Sequence, residues 1–183
     1  MEDSYEPQKK TVLSIVLAVL LIIATVGNLF LIMNNRDVVW NVIAVTELLA
    51  LVSGILYVYV ICKKEKDTRF FTVSVVLQAL VYFLLISMVP NAWYGTMMML
   101  VKFGCLCLLP FAADLGKKKS LTIAIVYVAA NVLSLFKAID LNTMTFASIA
   151  SLISRVENLI LAVSTMLMVE VRFPGKTGQA EES

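Results

Sequence analysis

"SLISRVENLI", residues 151–160, decides how many times this chain can cross a membrane. It places Arg155, Glu157 and Asn158 inside a run that is otherwise apolar from Phe146 to Val171. Read as a surface loop, it leaves only about a dozen apolar residues before Glu170, whereas a crossing needs roughly 20. That reading also strands Arg172 and Lys176 on the side opposite the other basic loops, against the charge rule for membrane topology. The stretch is therefore read as the outer half of a sixth membrane span.

Such a helix is polar on two sides. Residues two apart on a helix point about 200° away from one another. Arg155 shares a face with Ser148, Ser151 and Asn158, while Glu157 shares one with Ser154, Leu161 and Ser164. The two charges must find separate partners. A central position between other helices, or contact with a second subunit, would account for both faces. Snorkelling of Arg155 towards the outer headgroups is the simpler alternative.

The rest of the chain supports a membrane reading. Of 183 residues, 60% are hydrophobic and only 15% charged, and the mean hydropathy is +0.90. Soluble domains average about 45–50% apolar and about 25% charged residues. Apolar runs fall at about 11–33, 38–62, 70–89, 92–113, 120–139 and 146–170. The fold class expected is all-α: a compact bundle of six transmembrane helices over 11–171, with polar tails at 1–10 and 172–183. The first run is too long for the apolar core of a cleaved signal peptide and no A-x-A-like site follows, so it is read as a span.

Loop charge sets the orientation. One set of loops and tails carries Lys9, Lys10, Lys63, Lys64, Lys66, Arg69, Lys117, Lys118, Lys119, Arg172 and Lys176; the other carries Arg36 and Lys137. Both termini are expected to be cytoplasmic, in a cell membrane. Trp40, Trp93 and Tyr94 then sit at outer helix ends, where aromatic rings favour the headgroup level. Short connections make consecutive helices antiparallel neighbours. Pro110 is expected to kink the fourth span.

Several spans carry small and polar residues at steps of three or four, which keeps them on one helix face. These are Ser14, Ala18, Thr25 and Asn28; Ala44, Glu47, Ala50 and Gly54; Ser74, Gln78 and Tyr82; Ser120, Ala124, Tyr127, Asn131, Ser134 and Ala138; and Ser148, Ser151, Arg155, Asn158, Ala162 and Thr165. Ordinary packing through small residues explains the serines, alanines and glycine. The charges ask for more. Glu47 and Lys102 each lie about 15 Å below the outer surface at 1.5 Å per residue, and Arg155 lies at a similar level. An ionisable group at the centre of a span costs roughly 2.5–3.5 kcal/mol, so such groups usually pair or face a watery cavity. Glu47 paired with Lys102 or with Arg155 is the expectation.

Other chemistries find little support. The chain has no histidine, which excludes His-based catalysis and His-ligated metals. It has no phosphate-binding glycine loop, nucleophile elbow or zinc-protease motif, so no enzyme activity, cofactor or metal is expected. Cys105 and Cys107 face different ways as small apolar residues. A net charge of +2 offers no surface for nucleic acid.

The function expected is the binding or transport of a small polar or zwitterionic solute. The cluster carrying it would be Glu47, Lys102, Arg155, Glu157, Asn158, Asn28 and Asn131, in the outer half of the bundle. The alternative is a non-catalytic assembly, sensor or scaffold subunit of a larger membrane complex. Its polar residues would then set helix register, and Glu157 would meet a membrane-protein partner or a second copy of the chain.

Overall fold

The structure is a computed structural model that describes residues 5–32, 38–63, 68–89, 93–138 and 146–172. Its helices are α1 (Tyr5–Ile32), α2 (Val38–Lys63), α3 (Thr68–Met88), α4 (Trp93–Leu108), α5 (Ala112–Ala138) and α6 (Phe146–Arg172), with a 3-10 turn at Leu109–Phe111. All six are long and apolar enough to span a membrane. Arg36, Lys64, Lys66, Lys176 and the residues after Arg172 lie outside the described residues.

Three boundaries differ from the sequence expectation. Helix α1 begins at Tyr5, well before position 11, and runs through Pro7. A proline is tolerated in the first turn because its missing N–H has no intrahelical acceptor there. The bend expected at Pro110 appears as the end of α4, where the helix tightens into the 3-10 turn. Pro110 cannot donate to the carbonyl of Leu106, and its ring crowds that carbonyl. Helix α5 starts at Ala112 rather than near 120, but it is broken at Gly116, whose φ of 76° and ψ of 163° are open in practice only to glycine. The chain reversal expected between the fourth and fifth spans is thus made at Gly116, with the basic run Lys117–Lys119 opening the long part of α5.

The helices follow one another around the bundle, α1 on α2, α2 on α3, α3 on α4, α4 on α5, α5 on α6 and α6 on α1. An additional α2–α6 contact crosses the middle. Side-chain pairs give the directions. Asn28 meets Glu47 and Ser154, so α1 runs antiparallel to both α2 and α6. Glu47 meets Ser154 and Tyr57 meets Thr165, so α2 and α6 run parallel. Helix α6 is the central one: 44% of its span is buried, against 22% for α1.

The packing is inverted relative to a soluble bundle. Ser14, Thr25, Asn28, Ser53, Ser74, Gln78, Lys102, Asn131 and Glu157 are buried, while Ile23, Val26, Phe30, Phe83 and Phe136 are exposed. Of the residues singled out by helical spacing, Ser14, Thr25 and Asn28 of α1, Ser74, Gln78 and Tyr82 of α3, and Ser120, Ala124, Tyr127, Asn131 and Ser134 of α5 are buried, joined by Leu21, Phe71, Val75, Val81 and Ala130. The side chain of Ala138 lies outside the described residues. An apolar exterior and a hydrogen-bonded interior are what a bilayer requires, since lipid tails drive no hydrophobic association between helices. At Gly54 the helices approach so closely that a Cβ would collide with Leu21 Cδ2 and reach Leu161 Cδ2 at 3.4 Å. This joins α1, α2 and α6 at mid-depth.

Candidate functional site

A cavity of about 340 Å³ enters between α2, α3, α4 and α6, with Ser134 of α5 in its wall. It extends from Trp40, Val89 and Tyr94, at the end of the bundle where α3 stops and α4 starts, to Glu47, Lys102 and Asn158. Its size suits a small solute, since ligand sites run from about 300 to 1,000 Å³. Trp40 and Tyr94, placed by their chemistry at the headgroup level, both line it. Trp93 points outward and is 76% exposed.

Each charged residue reaches the cavity through its register. On α6, Arg155 turns towards α5 and donates from Nη1 to the Ser134 carbonyl at 2.6 Å, and from Nε to Ser151 Oγ at 3.4 Å. Glu157 turns the other way, is 1% exposed, and faces Glu47 of α2 and Thr25 of α1. Lys102 of α4 is 5% exposed, with Nζ 5.5 Å from the centroid of the Tyr82 ring. That separation lies within the range of a cation–π contact.

The expected ion pairs do not form. Glu47 accepts from Asn28 Nδ2 at 3.1 Å and from the hydroxyl of Ser154, both through Oε1. Among the described residues, no ion pair joins Glu47 to Lys102 or to Arg155. Instead, like neighbours like: Glu157 beside Glu47 on the α1/α2 side, and Lys102 beside Arg155 on the α4/α5 side. The central position of α6 explains this. Its Glu157 face meets α1 and α2, and its Arg155 face meets α5. Arg155 is only half-buried, yet its guanidinium is held by α5 rather than released towards the helix ends. Glu157 is buried within the bundle.

The expected cluster is therefore divided. Glu47, Lys102, Arg155, Glu157 and Asn158 line the cavity. Asn28 stands behind Glu47, and Asn131 holds Tyr82 from α5. The Tyr82 hydroxyl is shared between Asn131 Oδ1 and Asn158 Oδ1, at 3.2 Å from each. Asn158 Nδ2 donates to the Ser154 carbonyl at 2.8 Å.

Below the cavity floor a second polar layer continues. Tyr127 donates to Gln78 Oε1 at 3.0 Å, and Gln78 Nε2 donates to Tyr57 at 2.8 Å and to Ser53 Oγ at 3.1 Å. Ser53 donates in turn to the Ser74 carbonyl at 2.9 Å, and the hydroxyls of Tyr57 and Thr165 lie 3.0 Å apart. Ser53 and Tyr57 are missing from the sequence-based set of inward residues. Their spacing from Glu47 and Ala50 on α2 would have placed them on that face, but a tyrosine near a helix end also fits an interfacial belt.

Among the described residues, no group of three or more His, Cys, Asp and Glu side chains comes together as a metal cage. Comparison of the chain with family models, curated proteins and solved structures gives no match. The functional reading therefore rests on the cavity and its charges.

Proposed function

We propose that this chain is a multi-pass membrane protein that binds a small zwitterionic solute in the cavity between α2, α3, α4 and α6, for capture or transport. The observation that carries the proposal is the separation of charge across that cavity. Carboxyl groups of Glu47 and Glu157 stand on one side, and the Lys102 and Arg155 cations on the other. Left without opposite partners, four ionisable groups are costly to charge in a low-dielectric interior. A ligand carrying a cationic and an anionic end meets both pairs at once. Asn158 and Ser151 add neutral hydrogen-bonding groups, and Trp40, Tyr94, Met98 and Met99 supply apolar surface nearer the mouth.

The distribution of basic loops favours cytoplasmic termini, and on that reading the cavity opens to the outside of a cell membrane. A solute would enter between Trp40 and Tyr94 and settle with its anionic group towards Lys102 and Arg155.

Thermal unfolding of the detergent-solubilised protein against a panel of amino acids and other zwitterionic metabolites tests the proposal. A ligand at 100 times its Kd adds about 2.7 kcal/mol of stability. We expect at least one zwitterion to raise the wild-type Tm and to leave Lys102→Met and Arg155→Met unmoved. A ligand that shifts all three proteins equally would place binding elsewhere.

A further inference from the structure

Behind the cavity wall, where α1 packs against α2 and α6, four buried oxygens on neighbouring residues have no hydrogen-bond partner: Thr25 Oγ1, Asn28 Oδ1, Glu47 Oε2 and Glu157 Oε1. Their residues are 0%, 0%, 4% and 1% exposed. The antiparallel register of α1 and α6 sets Thr25 beside Glu157 and Asn28 beside Ser154. Asn28 also bonds Glu47, which faces Glu157, so the four residues form one continuous group.

The orientation of each group follows from its partners. Asn28 gives its Nδ2 to Glu47 and Ser154, an acceptor carboxylate and a hydroxyl. The carboxylate cannot donate, so the amide cannot be turned round and Oδ1 is left as a bare acceptor. Thr25 is equally distinctive. Hydroxyls inside helices commonly bond the carbonyl one turn back, as Ser120, Thr122, Ser134, Ser164 and Thr165 do here. Thr25 makes no such bond, and it faces Glu157 instead.

Unsatisfied buried acceptors each cost about 1–3 kcal/mol, and more when charged. Asn28 Oδ1 can only accept, and the Thr25 hydroxyl and the two carboxyl groups keep lone pairs free even where a proton passes between them, so all four oxygens can accept a positive species. Carboxylate, amide and hydroxyl oxygens are the donor types that hard cations take. Lys102 and Arg155 already put two positive charges on the far side of the cavity, so a single added charge suits this interior better than a double one.

We propose that Thr25, Asn28, Glu47 and Glu157 form a binding site for a small monovalent cation of sodium's type. Glu47 and Glu157 also line the cavity, which gives the ion a path in. The ion would hold α1 against α2 and α6 and fix the carboxyl wall of the cavity. The site stands on α1 and does not depend on the identity of any solute.

The test is thermal unfolding of the full chain in detergent, without added solute, in sodium, potassium or choline chloride at equal ionic strength and fixed pH. Sodium should raise the wild-type Tm saturably by about 3–6 °C relative to choline, the shift expected for a ligand well above its Kd in a chain of this size. Thr25→Val and Glu157→Gln, both close in shape to the native residue, should lose that shift. Ser14→Val should keep it, because Ser14 also carries an unpartnered hydroxyl on α1 but lies away from the group. Equal wild-type Tm in all three salts would overturn the site, and needs no variant to fold. So would a sodium shift that survives in both Thr25→Val and Glu157→Gln. A rise in Tm produced by acidification alone, with no sodium dependence, would assign the group to a shared proton and overturn the metal ion.

Discussion

The two polar layers in this bundle are built from similar residues and solve the cost of burial in opposite ways. In the layer around Tyr57, Gln78 and Tyr127, donors and acceptors close on one another across α2, α3, α5 and α6, with the Ser74 hydroxyl left without a partner. In the layer around Glu47, Lys102 and Glu157, charges stand beside like charges, and several oxygens are left over. On the proposed reading, the first layer gains nothing from a ligand and the second would be completed by one. A buried network that satisfies itself specifies helix register, whereas one left open at a cavity is suited to recognition.

Substitutions should separate the layers by the sign of their effect on stability. The largest loss is expected in the closed layer. Gln78→Leu removes one hydrogen bond from each of Tyr57, Ser53 and Tyr127 and should cost about 3 kcal/mol, at about 1 kcal/mol for each bond lost. Thermal unfolding would show this as a fall in Tm of roughly 6–12 °C. A loss near zero would mean that the closed layer does not hold the bundle. Next comes the seam that supports the open layer. Gly54→Leu drives a side chain into Leu21 and Leu161 and should cost about 2 kcal/mol by overpacking, measured the same way.

The open layer should behave differently. Lys102→Met replaces a buried cation that has no ion-pair partner with an apolar chain of similar length. It should leave ligand-free stability unchanged or raise it by about 1 kcal/mol, while abolishing stabilisation by a zwitterion. A substantial loss of stability would instead make Lys102 a structural residue of the same kind as Gln78. The smallest effect sets the baseline: Cys107 is exposed on the outer surface, and Cys107→Ser should change stability by no more than about 0.5 kcal/mol.

Much of the architecture is legible in the sequence, because a span declares itself by length and hydropathy alone. Reading "SLISRVENLI" as helix follows from counting residues, and its two polar faces follow from the helical repeat. The partners of those faces do not. Opposite charges at equal depth invite pairing of Glu47 with Lys102 or Arg155, and depth is all that one sequence conveys. Which helices touch is set by the order of packing around the bundle, and α4 lies across the cavity from α1. Hence Glu47 meets Asn28 and Ser154, and Glu157 meets Glu47 and Thr25. Thr25 and Asn28 are marked as inward-facing by spacing, but their unpartnered oxygens become visible only once Asn28 is seen to spend its amide nitrogen on Glu47. Tyr57 escapes for a different reason: its amphipathic ring fits a headgroup belt as well as a core, and only packing distinguishes the two.

The most direct measurement of the central claim compares the two layers by access to water. With Cys62, Cys105 and Cys107 replaced by serine, single cysteines are placed at Met98, on the cavity wall, and at Ser53, in the closed layer. Intact cells are then treated with a membrane-impermeant thiol reagent. We predict that Met98→Cys is labelled from outside and that Ser53→Cys is not, with labelling of Met98→Cys slowed by the zwitterion that raises Tm. Equal rates at the two positions, or no labelling at Met98→Cys, would contradict an open, solute-binding cavity.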